Sequence, residues 1–381
     1  MVESSKITII VLSSLLFVSL FFNIFIPIWL TTKHNDHYYH YDFNYWNKNS
    51  NILQKLKDYV KEITTKKNKN YVPKKDRIAV FDMDGTLIGE KAPTYVVWTM
   101  YRDTINENET LKNDPVSREI VRQVEEYIKG GTSDESLEID EIKDEARIFQ
   151  YWTVENYMSY IRNYLNRDAY GFKNLKFKDM YFKPMIEVIN FLQKNSFKVF
   201  IVSGSERFFV REIISHFLDD FPMEQVIGTD FYLVGKEEDI TEFDYDNLYH
   251  YDYLNSHTDY LIKSNMVTEY AVKFTKVRLV SKQIGRKPIL SFGNSSGDAP
   301  MHNYVIDGNK YKSMAFMVVA DDVKREYGID TINPDGTVDT TNSDNKKKDW
   351  KDRSKNYGYE IISMRDDFKT IYGDNVKLDR K

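Results

Sequence analysis

The sequence predicts an α/β protein built on a doubly wound, mainly parallel sheet. Short continuous apolar runs, RIAVF at 77–81, FKVFIV at 197–202 and PILSFG at 288–293, have the pattern of strands buried on both faces. Segments of helical period lie between them: MIEVINFLQKN, RFFVREIISHFL and KVRLVSKQIG. Strand, crossover helix and strand then repeat, which is the grammar of a sheet covered by helices on both sides.

From the N-terminus, residues 1–6 form a short tail. Residues 7–30, ITIIVLSSLLFVSLFFNIFIPIWL, carry no charge. Roughly 20 apolar residues cross a bilayer as a helix, so this run predicts an uncleaved transmembrane anchor. Trp29 and the tyrosines beyond it suit the membrane interface. The short tail is expected inside and the large domain extracytoplasmic. Residues 31–75 are polar, aromatic and charged, and read as a tether. His34, His37 and His40 recur at intervals of three but have no acidic partners at matching spacing, so no metal site is assigned to them.

The core is expected over 76–91 and 181–381. Between the first two strands, APTYVVWTMYRDTI, VSREIVRQVEEYIKG and DEARIFQYWTVENYMSYIRNYLN all show helical period, predicting a helical insertion over 92–180. A second, shorter insertion begins at FYLVGKEEDITEF and reads as hairpin or extended structure. The segment from about 341 reads as a charged loop or short helix.

Composition limits the functions open to this chain. A length of 381 residues with 41% hydrophobic content allows a full core and more than one module. A net charge of −5 gives no field for nucleic acid, and the lysine runs are interleaved with acids. Cysteine is absent, which excludes disulfides, thiolate catalysis and cysteine-zinc sites. No P-loop occurs, and VSGSE lacks the second glycine of a serine nucleophile elbow.

In an open α/β sheet, ligands bind at the carboxyl edge of the strands. Asp82 and Asp84 end the first predicted strand, Ser203 follows another, and Asn294 and Asp298 follow a third. Lys273 and Lys276 open the helix leading into that third strand. Together these are a phosphoryl-transfer set. Asp82 can attack phosphorus to form an aspartyl-phosphate, and Asp84, two residues on, can serve as general acid and then base. Phosphate and carboxylate repel one another, so a lysine and a divalent cation are required; Mg²⁺ suits carboxylate, carbonyl and amide oxygens. Ser203 and the amides near Gly204 can donate to phosphate oxygens, and Gly85 is expected to leave room for the phosphate.

DMDGT, IVSGS, a lysine at a helix start and GNSSGD together resemble the four motifs of the haloacid dehalogenase superfamily of phosphatases, over roughly residues 76–330. The resemblance implies a Rossmann-like core with a C1-type helical cap, close to the phosphoserine-phosphatase-like subgroup. It implies Asp82 as nucleophile and metal ligand, and Asp84 as acid/base with its carbonyl on Mg²⁺. Ser203, Gly204 and Thr86 would bind phosphate, and the remaining metal ligands would be Asn294 and Asp298. The run ahead of GNSSGD favours Lys276 over Lys273 as the motif lysine. Asn294 stands where the family often has an acid. Glu90 sits near the position where phosphoserine phosphatases place an acid facing the substrate ammonium, and Tyr95, Trp98 and Tyr101 could cage a quaternary ammonium or simply fill the cap core. The expectation is a membrane-anchored, Mg²⁺-dependent phosphatase of small phosphomonoesters. The alternatives are a selective phosphoserine or phosphocholine phosphatase, a phosphotransferase, and a catalytically weak surface binding protein.

Overall fold

A computed structural model describes residues 38–129, 135–236, 238 and 260–379. The apolar run at 7–30, read as a membrane anchor, lies outside the described residues, as do His34 and His37. Among the described residues no helix is long and apolar enough to cross a membrane.

Seven strands form the central sheet: β1 (Ile78–Phe81), β2 (Lys198–Glu206), β3 (Val226–Gly235), β4 (Leu261–Glu269), β5 (Leu290–Gly293), β6 (Met314–Val319) and β7 (Tyr359–Ser363). Their spatial order is β7-β6-β5-β1-β2-β3-β4. All neighbours are parallel except β3 and β4, which are antiparallel. The chain builds outward from β1 in one direction through β2 and in the other through β5. The topological switch therefore falls beside β1, where a ligand crevice is expected. The central strands are buried along their whole length, as their unbroken apolar runs require. Across β1, β5 and β6 the rings of Phe81, Phe292 and Phe316 stack at 4.2 and 4.7 Å, a rigid floor beneath the strand ends.

The expected tether is different in the part described. Residues 51–64 form helix α1 (Asn51–Thr64), capped by the Ser50 hydroxyl, and bury Leu53, Leu56, Val60 and Ile63 in the main core. Trp46 is buried ahead of it, donating to the Pro184 carbonyl at 2.9 Å and meeting Phe368 edge to face. The spacing of three, four and three residues puts the apolar groups of α1 on one face. A strongly charged composition masked that face.

Between β1 and β2 lie α2 (Val96–Glu107), α3 (Pro115–Ile128), α4 (Glu135–Ile148) and α5 (Val154–Leu165), followed by α6 (Lys183–Lys194). The β3–β4 hairpin is the second insertion. It joins the first: α4 packs on β4, the Tyr151 N–H donates to the Lys263 carbonyl and the Lys263 N–H to the Trp152 carbonyl, both at 2.9 Å. Helix α7 (Arg207–Ile214) follows β2, α8 (Phe274–Ile284) leads into β5, and α9 (Ala299–Ile306) follows it. The charged segment from 341 is a helix of 17 residues, α10 (Thr341–Tyr357), held by buried Trp350 against Tyr359.

Candidate active site

Asp82 is the first residue past β1, and its N–H donates to the Phe292 carbonyl at 2.9 Å. The chain then folds back on itself. The N–H groups of Thr86, Leu87 and Ile88 converge on the Met83 carbonyl, and Gly85 donates to Ile88. Gly85 has φ of +75°, and a Cβ there would stand 1.9 Å from Asn294 Nδ2 and 2.4 Å from Glu90 Oε2. The glycine thus makes room for Asn294 and Glu90, where phosphate was expected.

After β5 the chain enters a short helical turn closed by a capping box between Ser295 and Asp298. Asp298 Oδ2 accepts from the Asn294 and Ser295 amides at 3.1 Å, and its Oδ1 accepts from Lys276 at 2.7 Å. Lys276 also donates to Asp82 Oδ1 at 2.6 Å. A single buried ammonium therefore ties the end of β1 to the loop after β5. Lys273 stands one turn away and lines the same pocket, but the contact to both acids belongs to Lys276.

The other expected residues fall as follows. Thr86 is fully buried, and its hydroxyl donates to Asp82 Oδ2 at 3.2 Å, so it supports that carboxylate and does not line the pocket. Ser203 is likewise fully buried; its hydroxyl lies 3.3 Å from Asp84 Oδ2 and accepts the Ser205 amide. Ser205, which sequence reasoning missed, lines the pocket beside Gly204 and donates to Asp84 Oδ2 at 3.1 Å. Its signal is the same-face i, i+2 position on a strand that runs on to Glu206. Glu90 accepts Asn294 Nδ2 at 2.5 Å and the Tyr95 hydroxyl at 3.2 Å. Tyr95 and Trp98 line the pocket, whereas Tyr101 is buried with its hydroxyl on Asp144. His40 is exposed beside Asp42.

Asp82, Asp84, Glu90, Ser205, Lys276 and Asp298 surround one cavity of about 300 Å³ at the carboxyl edge of β1, β2 and β5. Its electrostatics are those of crowded acids. Burial, reinforced by Asp298, pushes the Asp82 carboxyl well above the usual range against the pull of Lys276. Burial and Glu90 push Asp84 up to about 7. Burial alone would lower Lys276, but Asp298 and Asp82 hold it above its ordinary value. Asp298, despite its own burial, is held low by Lys276.

A hard divalent cation fits this set. Asp84 Oδ1 is a buried oxygen with no hydrogen-bond partner, and Asp82, Asp84, Glu90 and Asp298 crowd around a lysine already bonded to two of them. Among the described residues no group of three or more histidine or acid side chains forms a ready-made cage. Mg²⁺ commonly takes only one or two carboxylates and keeps its waters, so a set of this kind would suit it without a cage.

A family model, haloacid dehalogenase-like hydrolase, matches residues 77–239. That span contains Asp82, Asp84 and Ser203; Lys276, Asn294 and Asp298 lie beyond it and are joined to the site by the geometry above. Comparison with curated proteins gave no match. Among solved structures, a conserved protein of unknown function from Anaerococcus prevotii DSM 20548 is 13% identical, with 70% of this chain and 85% of that one covered and a TM-score of 0.42. A protein of unknown function from Bordetella pertussis Tohama I is 12% identical over 75% and 97% of the two chains, TM-score 0.42. A phosphoserine phosphohydrolase-like protein from Francisella tularensis is 11% identical over 64% and 88%, TM-score 0.36. Over residues 77–239, the span that supplies Asp82, Asp84 and Ser203, the chain matches a haloacid dehalogenase-like hydrolase domain.

Proposed function

We propose that this protein is a Mg²⁺-dependent phosphomonoesterase acting through an aspartyl-phosphate. The observation that carries the reading is Lys276, buried between Asp82 and Asp298 at the floor of the switch crevice, with Asp84 and Ser205 lining the same pocket. An Asp82 oxygen attacks phosphorus, and the bond from phosphorus to the ester oxygen breaks. Asp84, whose carboxyl burial and Glu90 push up to about 7, delivers a proton to the leaving oxygen. Asp84 then takes a proton from the water that attacks phosphorus, releasing phosphate and regenerating the Asp82 carboxylate. Lys276 neutralises Asp82 before attack, and Ser205 and Ser203 orient Asp84. Asp82, Asp84 and Asn294 would hold Mg²⁺, which supplies charge neutralisation as the phosphate approaches the acids. Asp298 is fully engaged by Lys276 and its own loop, so it acts by fixing that loop.

We further propose that residues 7–30 tether this hydrolase to a membrane with its domain extracytoplasmic, on the strength of that uncharged apolar run alone. The test of activity uses the full chain in detergent with p-nitrophenyl phosphate. Turnover with Mg²⁺ that EDTA abolishes supports the reading; turnover that EDTA leaves unchanged refutes its metal requirement. Fractionation of cells expressing the chain, with and without residues 7–30, tests the tether: loss of membrane association on deletion is expected.

A further inference from the structure

The acids of the pocket stand at the carboxyl edge of the sheet, and the opposite, amino edge carries the reverse charge. Ile78 pairs with Lys198, Ala79 with Leu290 and Leu290 with Met314, so β1, β2, β5 and β6 begin at one level. The loops leading into them, 65–77, 194–197, 285–289 and 307–313, therefore share that edge. With Lys198 they carry twelve lysines or arginines against two acids, Asp76 and Asp307, in a chain of net charge −5. Lys67, Lys69, Lys198, Arg286, Lys310 and Lys312 are exposed. Asp76 is half-buried and accepts from Arg286 at 2.7 Å and from the Tyr311 hydroxyl at 2.9 Å. Lys312 donates to Glu62, near the end of α1, at 2.6 Å. These bonds tie the loops into one surface, and only the register of the sheet brings their lysines together.

The chain enters the fold at the same edge. The Tyr39 N–H donates to Asn195 Oδ1 at 2.8 Å, and Asn195 Nδ2 donates back to the Tyr39 carbonyl at 3.1 Å. The Asn195 carbonyl accepts from Arg77, the residue before β1, at 3.1 Å. Tyr39 is 48% exposed, with Lys194 Nζ 5.3 Å from its ring centre, an aromatic and cationic pair suited to a headgroup layer. Leu30, at the end of the uncharged apolar run, precedes Tyr38 by eight residues, a reach of about 28 Å at most. A bilayer holding that run lies within this reach of the amino edge.

We propose that the amino edge of the sheet is a docking face for an anionic lipid surface, which holds the catalytic pocket pointing away from the bilayer. Lysines and arginines close to a membrane are drawn to anionic headgroups, while the acids around the pocket are repelled by them. Both edges therefore favour the same orientation. The proposal rests on the tether proposed for residues 7–30 and is independent of the phosphatase reading.

The full chain is reconstituted into vesicles of phosphatidylcholine alone, and into vesicles of phosphatidylcholine and phosphatidylglycerol in equal parts. An acetylating reagent that does not cross bilayers labels the lysines, which are then read one by one by mass spectrometry. Exposed Lys129 and Lys143, on the helical insertion, serve as the reference. Relative to them, labelling of Lys67, Lys69, Lys198 and Lys310 should fall at least about fivefold in the anionic vesicles and recover in about 0.5 M salt. Equal labelling in the two kinds of vesicle, or protection of Lys129 and Lys143 instead, would overturn the docking face. Protection by single-stranded DNA but not by anionic vesicles would reassign the face to nucleic acid and equally overturn it. Flotation with the neutral vesicles reports the tether separately. A chain protected by anionic vesicles that fails to float with neutral ones would keep the docking face and remove the tether.

Discussion

Among the described residues two lysines are buried, each facing two acids, and their pKa values are displaced in opposite directions. Lys276 bonds Asp82 at 2.6 Å and Asp298 at 2.7 Å and is held above its ordinary pKa. Lys263, on β4, is fully buried with no hydrogen bond to its Nζ, which sits 3.1 Å from the centre of the Tyr157 ring. Burial lowers it to about 8, although Glu206 and Glu145 pull it back up. Glu145 is raised to about 7 by burial, and Glu206 is raised as well. Direct, short, charge-assisted bonds make the difference. At the floor of the pocket the lysine is held as a cation; at the junction of the two insertions burial holds it below its ordinary value.

The largest effect should come from breaking the locked pair. Lys276→Met leaves Asp82 and Asp298 facing each other without a cation, so kcat should fall by roughly 10³-fold and stability by about 3 kcal/mol. Steady-state kinetics and thermal melting read both. The matching change at the other lysine, Lys263→Met, removes a charge that makes no hydrogen bond. Stability at pH 8 should change by about 1 kcal/mol or less. An equal loss from the two substitutions would abolish the distinction between them.

Gly85→Ala sharpens the floor of the pocket. The residue must hold φ of +75° and would drive its Cβ into Asn294 and Glu90. A loss of about 1 kcal/mol in stability and at least about tenfold in kcat/KM is expected. Normal activity would show that the Asn294–Glu90 contact is dispensable.

The smallest expected effect concerns pH. Asp84 carries a folded-state pKa of about 7, above its unfolded value, with Asp82 raised in the same direction. Their protonated forms favour the fold, so this contribution is fully present below the unfolded pKa and is lost as pH rises through about 7. In EDTA, Tm should drop by roughly 3–5 °C between pH 5 and pH 8, and Asp84→Asn should flatten that slope. Mg²⁺ should restore the loss at pH 8. A Tm independent of pH and Mg²⁺ would contradict the crowded-acid account.

How much of this was legible in the sequence follows from how local each feature is. Asp82, Asp84, Lys276, Asn294 and Asp298 could be read because each sits at a strand end or helix start within a few residues of its motif. The buried strands were equally plain from their apolar runs. Ser205 was not, because its role depends on β2 continuing past the serine that marks the motif. Helix α1 was hidden because four apolar residues were diluted by charged ones. The Lys263, Glu145 and Glu206 cluster could not be seen at all: it joins β4, α4 and the end of β2 only after folding.

The central claim is that Asp82 becomes phosphorylated. The most direct measurement quenches the full chain during turnover of p-nitrophenyl phosphate, reduces it with borohydride and maps it by peptide mass spectrometry. The account predicts reduction of the Asp82 side chain to an alcohol, dependent on substrate and Mg²⁺ and absent in Asp82→Asn. Sustained turnover with Asp82 unmodified, or with the modification on another residue, would contradict it.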